Sequence, residues 1–229
     1  MENVKGHTFK MLSSNDEVLI KGGKTASAEF AGLAESLPIT RSGLSALTDL
    51  GNITNLLGEL RKDDIRSPAE RAQEAKRALL KVDSLLKSMG STRELISNSI
   101  AATDTLKDNI LNKPQDSVIT AQIAEALRAE HKQQRREKLT NPDVIAAIAK
   151  APSFVFGLTD ADVKNAQDRF IKELYPDILD SYETADKALR MVERAEAYGK
   201  TSKKLADMLI HDGNFNKQGK PKLDTSLLD

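Results

Sequence analysis

Apolar residues recur at alternating steps of three and four along one stretch in the first half of the sequence. The positions are Ala72, Ala75, Leu79, Val82, Leu86 and Met89. This spacing places them on one side of an α-helix and is typical of a helical hairpin or bundle. Ser67, Pro68 and Glu70 come just before the stretch and supply an N-cap, a first-turn proline and a capping box. The sequence therefore predicts a mainly α protein built as a helical bundle.

Start and stop signals divide the rest of the chain into further helices. Gly90 predicts the end of this first helix, and the capping box Ser91–Glu94 predicts a second, antiparallel helix that reaches Asn112. Gly51 and Gly58 lie seven residues apart, so they share one helix face and predict the close approach of a neighbouring helix. The remaining predicted helices cover Ala26 to Ser36, Arg41 to Arg61, Ser117 to Lys138, Asp143 to Lys150, Thr159 to Leu174, Pro176 to Tyr198 and Ser202 to His211.

The two ends of the chain carry different signals. Short β-type runs at Thr8–Leu12 and Glu17–Lys21 flank the turn-forming residues 13–16, which predicts a short N-terminal β-hairpin. From Asp212 onwards the chain is rich in Gly, Asn, Lys and Pro, which predicts an extended C-terminal arm. The expected organisation is a hairpin at 1–25, an aromatic-poor helical region at 26–140, a C-terminal helical core at 141–211 and a tail at 212–229.

Aromatic residues are few and unevenly distributed. There are nine, none of them Trp, and seven fall in the C-terminal third, six of them before the tail that starts at residue 212. These six are Phe154, Phe156, Phe170, Tyr175, Tyr182 and Tyr198. Because aromatic side chains bury the most area per residue, we expect the best-packed core to be C-terminal. The middle of the chain would then be an Ala/Leu/Ile helical region that is elongated or completed by a partner.

Composition excludes several classes of protein. Lys and Arg together number 34, as do Asp and Glu, so no net field attracts nucleic acid or a membrane surface. There is no cysteine, which removes disulfides, thiolate metal sites and cysteine nucleophiles. Residues 1–11 carry no apolar run, so we expect no signal peptide and a cytoplasmic or virion location. No stretch approaches 18 uninterrupted apolar residues, so no membrane span is expected either.

One segment of the chain is basic. Between residues 128 and 138, five basic residues against two acidic ones give a charge of +3. The basic residues are Arg128, Lys132, Arg135, Arg136 and Lys138. On a continuous helix the first four share roughly one side, from which they can contact phosphates or a partner protein. No aromatic stacking platform lies nearby in the sequence, and a solvated helix extension is the alternative interpretation.

Motifs for catalysis, metals and cofactors are incomplete. The run Gly22–Thr25 resembles the end of a phosphate-binding loop, but Val18 stands where the motif needs glycine. His7, His131 and His211 are far apart and have no metal-ligand spacing. No Gly-x-Ser-x-Gly elbow is present. We therefore expect no catalytic residue, no metal ligand and no cofactor, and we do not expect an enzyme.

The segment Ala151–Asp160 has the sequence APSFVFGLTD and precedes an amphipathic helix. It resembles an Ala-Pro-x-Phe-Leu-x-Gly-Leu-Thr/Ser-Asp/Glu stretch of small helical bacteriophage virion-associated proteins. The resemblance covers residues 151–195, and Val155 and Phe156 depart from the usual pattern. It implies a place in a phage particle but carries no site residue.

The same segment also has a plain structural interpretation. Pro152 and Gly157 are expected to shape a loop, which Phe154 and Phe156 would anchor in the core. Thr159 is expected to cap the helix that follows.

These patterns favour a non-enzymatic structural or assembly protein over other functions. We expect a virion component of the head, connector, tail or ejection apparatus that contacts other protein subunits as a homo-oligomer or in a larger assembly. One alternative is a nucleic-acid-binding accessory protein that uses residues 128–138. Another is a small regulatory binder of one partner protein.

Overall fold

A computed structural model describes residues 12–112 and 116–213, except for the side chains of Lys132 and Arg136. Within these ranges 86% of the residues are helical and no strand occurs, which confirms the mainly α class. The α-helices are α1 (Ser14–Gly22), α2 (Leu33–Ser36), α3 (Arg41–Lys62), α4 (Pro68–Leu111), α5 (Ser117–Ala129), α6 (Lys132–Lys138), α7 (Pro142–Ile148), α8 (Asp160–Leu174) and α9 (Pro176–Gly213). Short 3-10 turns cover Gly23–Thr25, Ala28–Phe30, Pro38–Thr40 and Ser153–Phe156.

The N-terminal end of the described chain is a helix where the sequence predicts a hairpin. Glu17–Lys21 lies inside α1, so the second predicted strand is wrong, and most of Thr8–Leu12 lies outside the described residues. The physical reason is a capping box. The Ser13 hydroxyl accepts from the backbone N–H of Asp16 at 3.2 Å, and the Asp16 carboxylate accepts from the backbone N–H of Ser13 at 2.8 Å. Residue types that favour a turn also favour a helix N-cap.

Helix α4 runs without interruption through Gly90, so the predicted cap at Ser91–Glu94 and the antiparallel turn are wrong. Val82, Met89 and Ile96 lie seven residues apart and are each at most 1% exposed. A glycine inside a helix costs about 1 kcal/mol, which is less than the burial of even one such side chain contributes. The predicted capping box at its start is confirmed, since the carboxylate of Glu70 accepts from the backbone and hydroxyl of Ser67.

Helix α9 also continues through a glycine. The sequence predicts an end at Tyr198 and a separate helix from Ser202, but α9 extends from Pro176 to Gly213. A Cβ atom at Gly199 would lie 2.6 Å from a methyl carbon of Leu86, so this glycine allows α4 to pack closely rather than ending the helix. The predicted restart of the chain at Pro176 is confirmed. The predicted C-terminal arm lies outside the described residues, apart from Asp212 and Gly213, which complete α9.

Two further predicted helices are broken into shorter pieces. The helix predicted over Ala26–Ser36 is interrupted at Gly32, whose φ of 78° is left-handed and incompatible with a right-handed helix. The helix predicted over Ser117–Lys138 stops at Ala129, because Glu130 adopts an extended backbone with ψ of 150°. The predicted helices that correspond to α3, α7 and α8 are confirmed to within two residues at each end.

Packing divides the chain into two compact units. Among the described residues, unit 1 comprises residues 12–96 and 186–213, and unit 2 comprises residues 97–112 and 116–185. Helices α4 and α9 contribute residues to both units.

Each unit has a buried apolar core. In unit 1 the core includes Leu47, Leu50 and Leu57 of α3, all fully buried. The core of unit 2 is built around Phe156, Phe170, Leu127, Ile145 and Ile171. Aliphatic side chains of α3 are buried as completely as the aromatic ones of unit 2, so burial does not distinguish the two cores and a best-packed C-terminal core stays a prediction.

Candidate functional site

The basic segment lies on two helices of unit 2 rather than on one. Arg128 belongs to α5, whereas Lys132, Arg135, Arg136 and Lys138 belong to α6. The chain between the two helices is extended at Glu130, so the expected single face of a continuous helix is not formed. The positions of Lys132 and Arg136 are described at the level of the backbone alone.

Three of the five basic side chains bind groups of unit 2. The Nε of Arg128 donates to the carbonyl oxygen of Val155 at 2.5 Å. Arg135 donates to the carbonyl oxygen of Gly157 and, at 3.0 Å, to that of Glu130. Lys138 forms an ion pair with the carboxylate of Glu130. Arg128 and Arg135 therefore hold the loop that follows α7, a role that the sequence did not reveal, whereas Lys138 binds the segment between α5 and α6.

The loop itself is fixed at both ends. The hydroxyl of Ser153 donates to the carboxylate of Asp160 at 2.6 Å. Gly157 adopts a left-handed φ of 67°, which favours glycine. Thr159 caps α8 through a capping box with Asp162, as the sequence predicts. The loop is thus held between α5 and the first turn of α8.

The two phenylalanines of the loop have opposite environments. Phe156 is fully buried in the core of unit 2, as expected, but Phe154 is 74% exposed, so its predicted role as a core anchor is wrong. The 3-10 geometry explains the difference, because three residues per turn make the side chains of residues two apart point in directions about 120° apart. The structure therefore presents one aromatic ring to solvent, and the next residue in the chain, Val155, accepts a hydrogen bond from Arg128 through its carbonyl.

We expect the substitution Arg135→Ala to destabilise unit 2 by about 1 to 3 kcal/mol, because it leaves the carbonyl groups of Gly157 and Glu130 without their donor. Urea unfolding followed by circular dichroism measures this loss. Lys164→Ala, which removes an exposed cation on α8, is the matched control and should change stability by less than about 0.5 kcal/mol. Equal stability of the two variants would contradict a bracing role for Arg135.

A buried carboxylate in unit 1 is the second polar cluster. Asp16 is only 5% exposed and accepts hydrogen bonds from the hydroxyl of Thr201 at 2.7 Å and from the ammonium of Lys204 at 2.8 Å. The backbone N–H and hydroxyl of Ser13 donate to the same carboxylate. Burial opposes its ionisation, but the hydrogen bonds from Lys204, Ser13 and Thr201 outweigh burial and hold the pKa of Asp16 well below its usual range. The cluster therefore attaches α1 to α9 with a charged group that is fully satisfied.

A tyrosine of unit 2 connects two helices in a similar way. The hydroxyl of Tyr182 on α9 donates to the carboxylate of Asp104 on α4 at 2.5 Å. Burial, together with the hydrogen bond and the negative charges of Asp104 and Asp108, raises the pKa of Tyr182 to about 12. At neutral pH the phenol thus stays protonated and donates a hydrogen bond between two helices.

Two open grooves are present among the described residues. The groove of unit 2 has a volume of about 330 Å³ and is lined by Leu139, Asp162, Asn165, Ala166 and Arg169. The groove of unit 1 has a volume of about 410 Å³ and is lined mainly by small residues near Phe30 and Leu44. In the part of the chain that the structure describes, no group of three or more His, Asp or Glu side chains is placed to hold a metal ion.

Neither hydropathy nor similarity assigns the chain to a known class. No helix within residues 12–112 and 116–213 is both long and apolar enough to cross a membrane. The chain matches no protein-family model, no curated protein and no solved structure.

Proposed function

We propose that this protein is a non-enzymatic structural or assembly protein that works through contacts with other subunits, as a component of a phage particle. The observation that carries the proposal is a set of large apolar side chains that stay more than half exposed on packed helices and braced loops. They are Val18, Ile65, Leu80, Leu106, Val118, Phe154 and Leu174.

The exposed apolar side chains favour association for a physical reason. Burial of apolar surface contributes about 25 cal/mol per Å², so an interface that covers several of these side chains gains free energy that a single chain cannot. The net charge of zero means that two copies repel each other only weakly. Single exposed apolar residues are ordinary, but Ile65 at 97%, Leu80 at 75% and Phe154 at 74% are extreme cases.

Three further observations support this proposal over the alternatives. Asp16 and Tyr182 have shifted pKa values because they join helices, which gives these groups a structural role. Arg128, Arg135 and Lys138 make contacts within unit 2, so fewer cations of the basic segment face a nucleic acid. The resemblance of residues 151–195 to phage virion-associated proteins supports a place in a particle.

Light scattering combined with chemical cross-linking of the full chain, with and without DNA, tests the proposal. We expect a molar mass above the 25.1 kDa of a single chain, rising with protein concentration and unchanged by DNA. A compact monomer at high concentration would contradict the proposal. A DNA complex whose affinity falls steeply with salt would favour the nucleic-acid-binding alternative instead. A one-to-one complex with another protein, without self-association, would favour the regulatory binder.

A further inference from the structure

Phe154 projects from a loop that is unusually well fixed for an exposed segment. The 3-10 turn Ser153–Phe156 is held from one side by Arg128 and Arg135 and from the other by Asp160. Buried Phe156 anchors the same turn in the core of unit 2. We call the exposed phenyl ring of Phe154 the knob.

A fixed aromatic side chain is well suited to binding. Association normally costs free energy to order loops and side chains, and a braced turn has already met that cost during folding. Exposed aromatic rings that enter a partner's pocket are among the residues that contribute most to protein interfaces. The bracing therefore points to a contact that uses the knob.

The groove of unit 2 has the shape and chemistry to receive such a ring. Its floor is apolar, because Leu139 and Ala166 line it and are less than 9% exposed. Its rim carries the polar side chains of Asp162, Asn165 and Arg169. A volume of about 330 Å³ leaves room for one phenyl ring. We call this depression the α8 groove.

The knob and the α8 groove lie near the same end of one helix. The knob's turn contacts the first turn of α8 through the bond from Ser153 to Asp160, and Asp162 in that same turn lines the groove. In a two-fold dimer, the knob of each copy can therefore bind the α8 groove of the other. Such an interface is isologous, because both copies contribute the same surface.

We infer that the knob of one copy of this chain inserts into the α8 groove of a second copy. The inference rests on the proposed function, because it names the partner and the contact for self-assembly. Charge complementarity also favours a second copy. Arg128 binds the carbonyl of Val155, the residue after the knob, through its Nε, and its terminal nitrogens make no hydrogen bond among the described residues. On the groove rim Asp162 supplies a carboxylate, while the charge of Arg169 is offset by its ion pair with Glu173.

Sedimentation velocity over a range of concentrations tests the knob. Phe154→Ala is expected to weaken self-association by at least about tenfold. Because Phe154 is 74% exposed, the substitution should leave the urea midpoint of unfolding unchanged. Leu56→Ala is the matched control, since Leu56 is 48% exposed on α3 in unit 1 and is not among the side chains that carry the proposed function. It should associate as the wild type does.

A second variant tests the groove from the other side. Asn165 is exposed at the rim, so Asn165→Trp should fill the mouth without entering the core and should weaken self-association as Phe154→Ala does. A mixture of the two variants should recover part of the association, because an intact knob then meets an intact groove.

The outcomes separate this inference from the proposed function. If the wild type stays monomeric, both fail. If the wild type self-associates and both Phe154→Ala and Asn165→Trp associate equally well, only the knob-and-groove contact is overturned. Loss of single-stranded DNA binding in Phe154→Ala, with no change in self-association, would also overturn it, since the ring would then be a stacking platform.

Discussion

Replacing Gly51 by alanine is expected to destabilise the protein by about 1 to 3 kcal/mol, whereas the same substitution at Gly90 is expected to stabilise it by about 1 kcal/mol. Both glycines lie inside helices of unit 1, Gly51 in α3 and Gly90 in α4. The opposite signs follow from what a methyl group would meet at each position.

A Cβ atom at Gly51 would lie 2.3 Å from the carbonyl oxygen of Gly23 and 2.6 Å from the Cβ of Ala26. The carbonyl belongs to the backbone and cannot rotate away as a side chain can, so the helices would have to separate. At Gly90 a Cβ atom would meet no atom within 4 Å, and alanine gains its better helix propensity.

Urea unfolding of both variants beside the wild type measures the difference, and Gly90→Ala serves as the control for helix propensity. Stabilisation by both substitutions would show that α3 and the Gly23–Thr25 turn are not in such close contact. If both substitutions destabilised the protein equally, α4 could not be a continuous helix with free space around Gly90.

Replacing Asp16 by alanine is expected to cost about 2 to 4 kcal/mol. The substitution removes half of the capping box of α1, the hydrogen bond from the backbone N–H of Ser13 to the carboxylate, which contributes about 1 kcal/mol. It also leaves the buried hydroxyl of Thr201 and the ammonium of Lys204 without their acceptor, which costs about 1 to 3 kcal/mol more. Asp207→Ala removes an exposed acid of α9 and should change stability by less than about 0.5 kcal/mol. If the two variants were equally stable, Asp16 would not join α1 to α9.

The low pKa of Asp16 also predicts a pH dependence. The folded protein keeps this carboxylate charged at a pH where the unfolded chain, with an aspartate pKa of about 3.9, already binds a proton. The stabilisation is therefore fully present above that unfolded value and is lost as the pH falls towards the lower folded pKa. Between about pH 5 and pH 3, the free energy of unfolding should fall less steeply in Asp16→Asn than in the wild type. Parallel pH profiles would contradict the ionised state of Asp16.

Local capping signals made much of the helical structure predictable. Ser67 with Glu70, Asn141 and Thr159 each start a helix where the sequence predicts one, because a cap is satisfied by residues two or three positions away. The same locality caused the error at the N-terminus. Ser13 and Asp16 fit a turn and a helix cap equally well, and only the partners of Asp16 on α9 separate the two.

Glycine stops were the least reliable signals, because packing overrides them. The apolar repeat of Val82 and Met89 continues at Ile96, seven residues further, and that continuation could have indicated a helix through Gly90. At Gly199 the local sequence does not indicate that the helix continues. Glycine is required there because Leu86 of another helix packs against this position.

The residues of the candidate site could be predicted from the sequence, but their contacts could not. The basic residues are evident in the sequence, yet Arg128 binds a carbonyl 27 positions away and Asp16 binds a hydroxyl 185 positions away. Such pairings depend on the tertiary fold. The exposure of Phe154 likewise depends on the 3-10 turn, which no periodicity in the sequence indicates.

The molar mass of the full chain at sedimentation equilibrium, measured over a wide range of concentrations, decides most directly whether this protein works through contacts between its own copies. We expect the mass to rise from 25.1 kDa at low concentration towards at least twice that value. A mass that stays at 25.1 kDa up to the highest concentration reached would contradict a role in self-assembly.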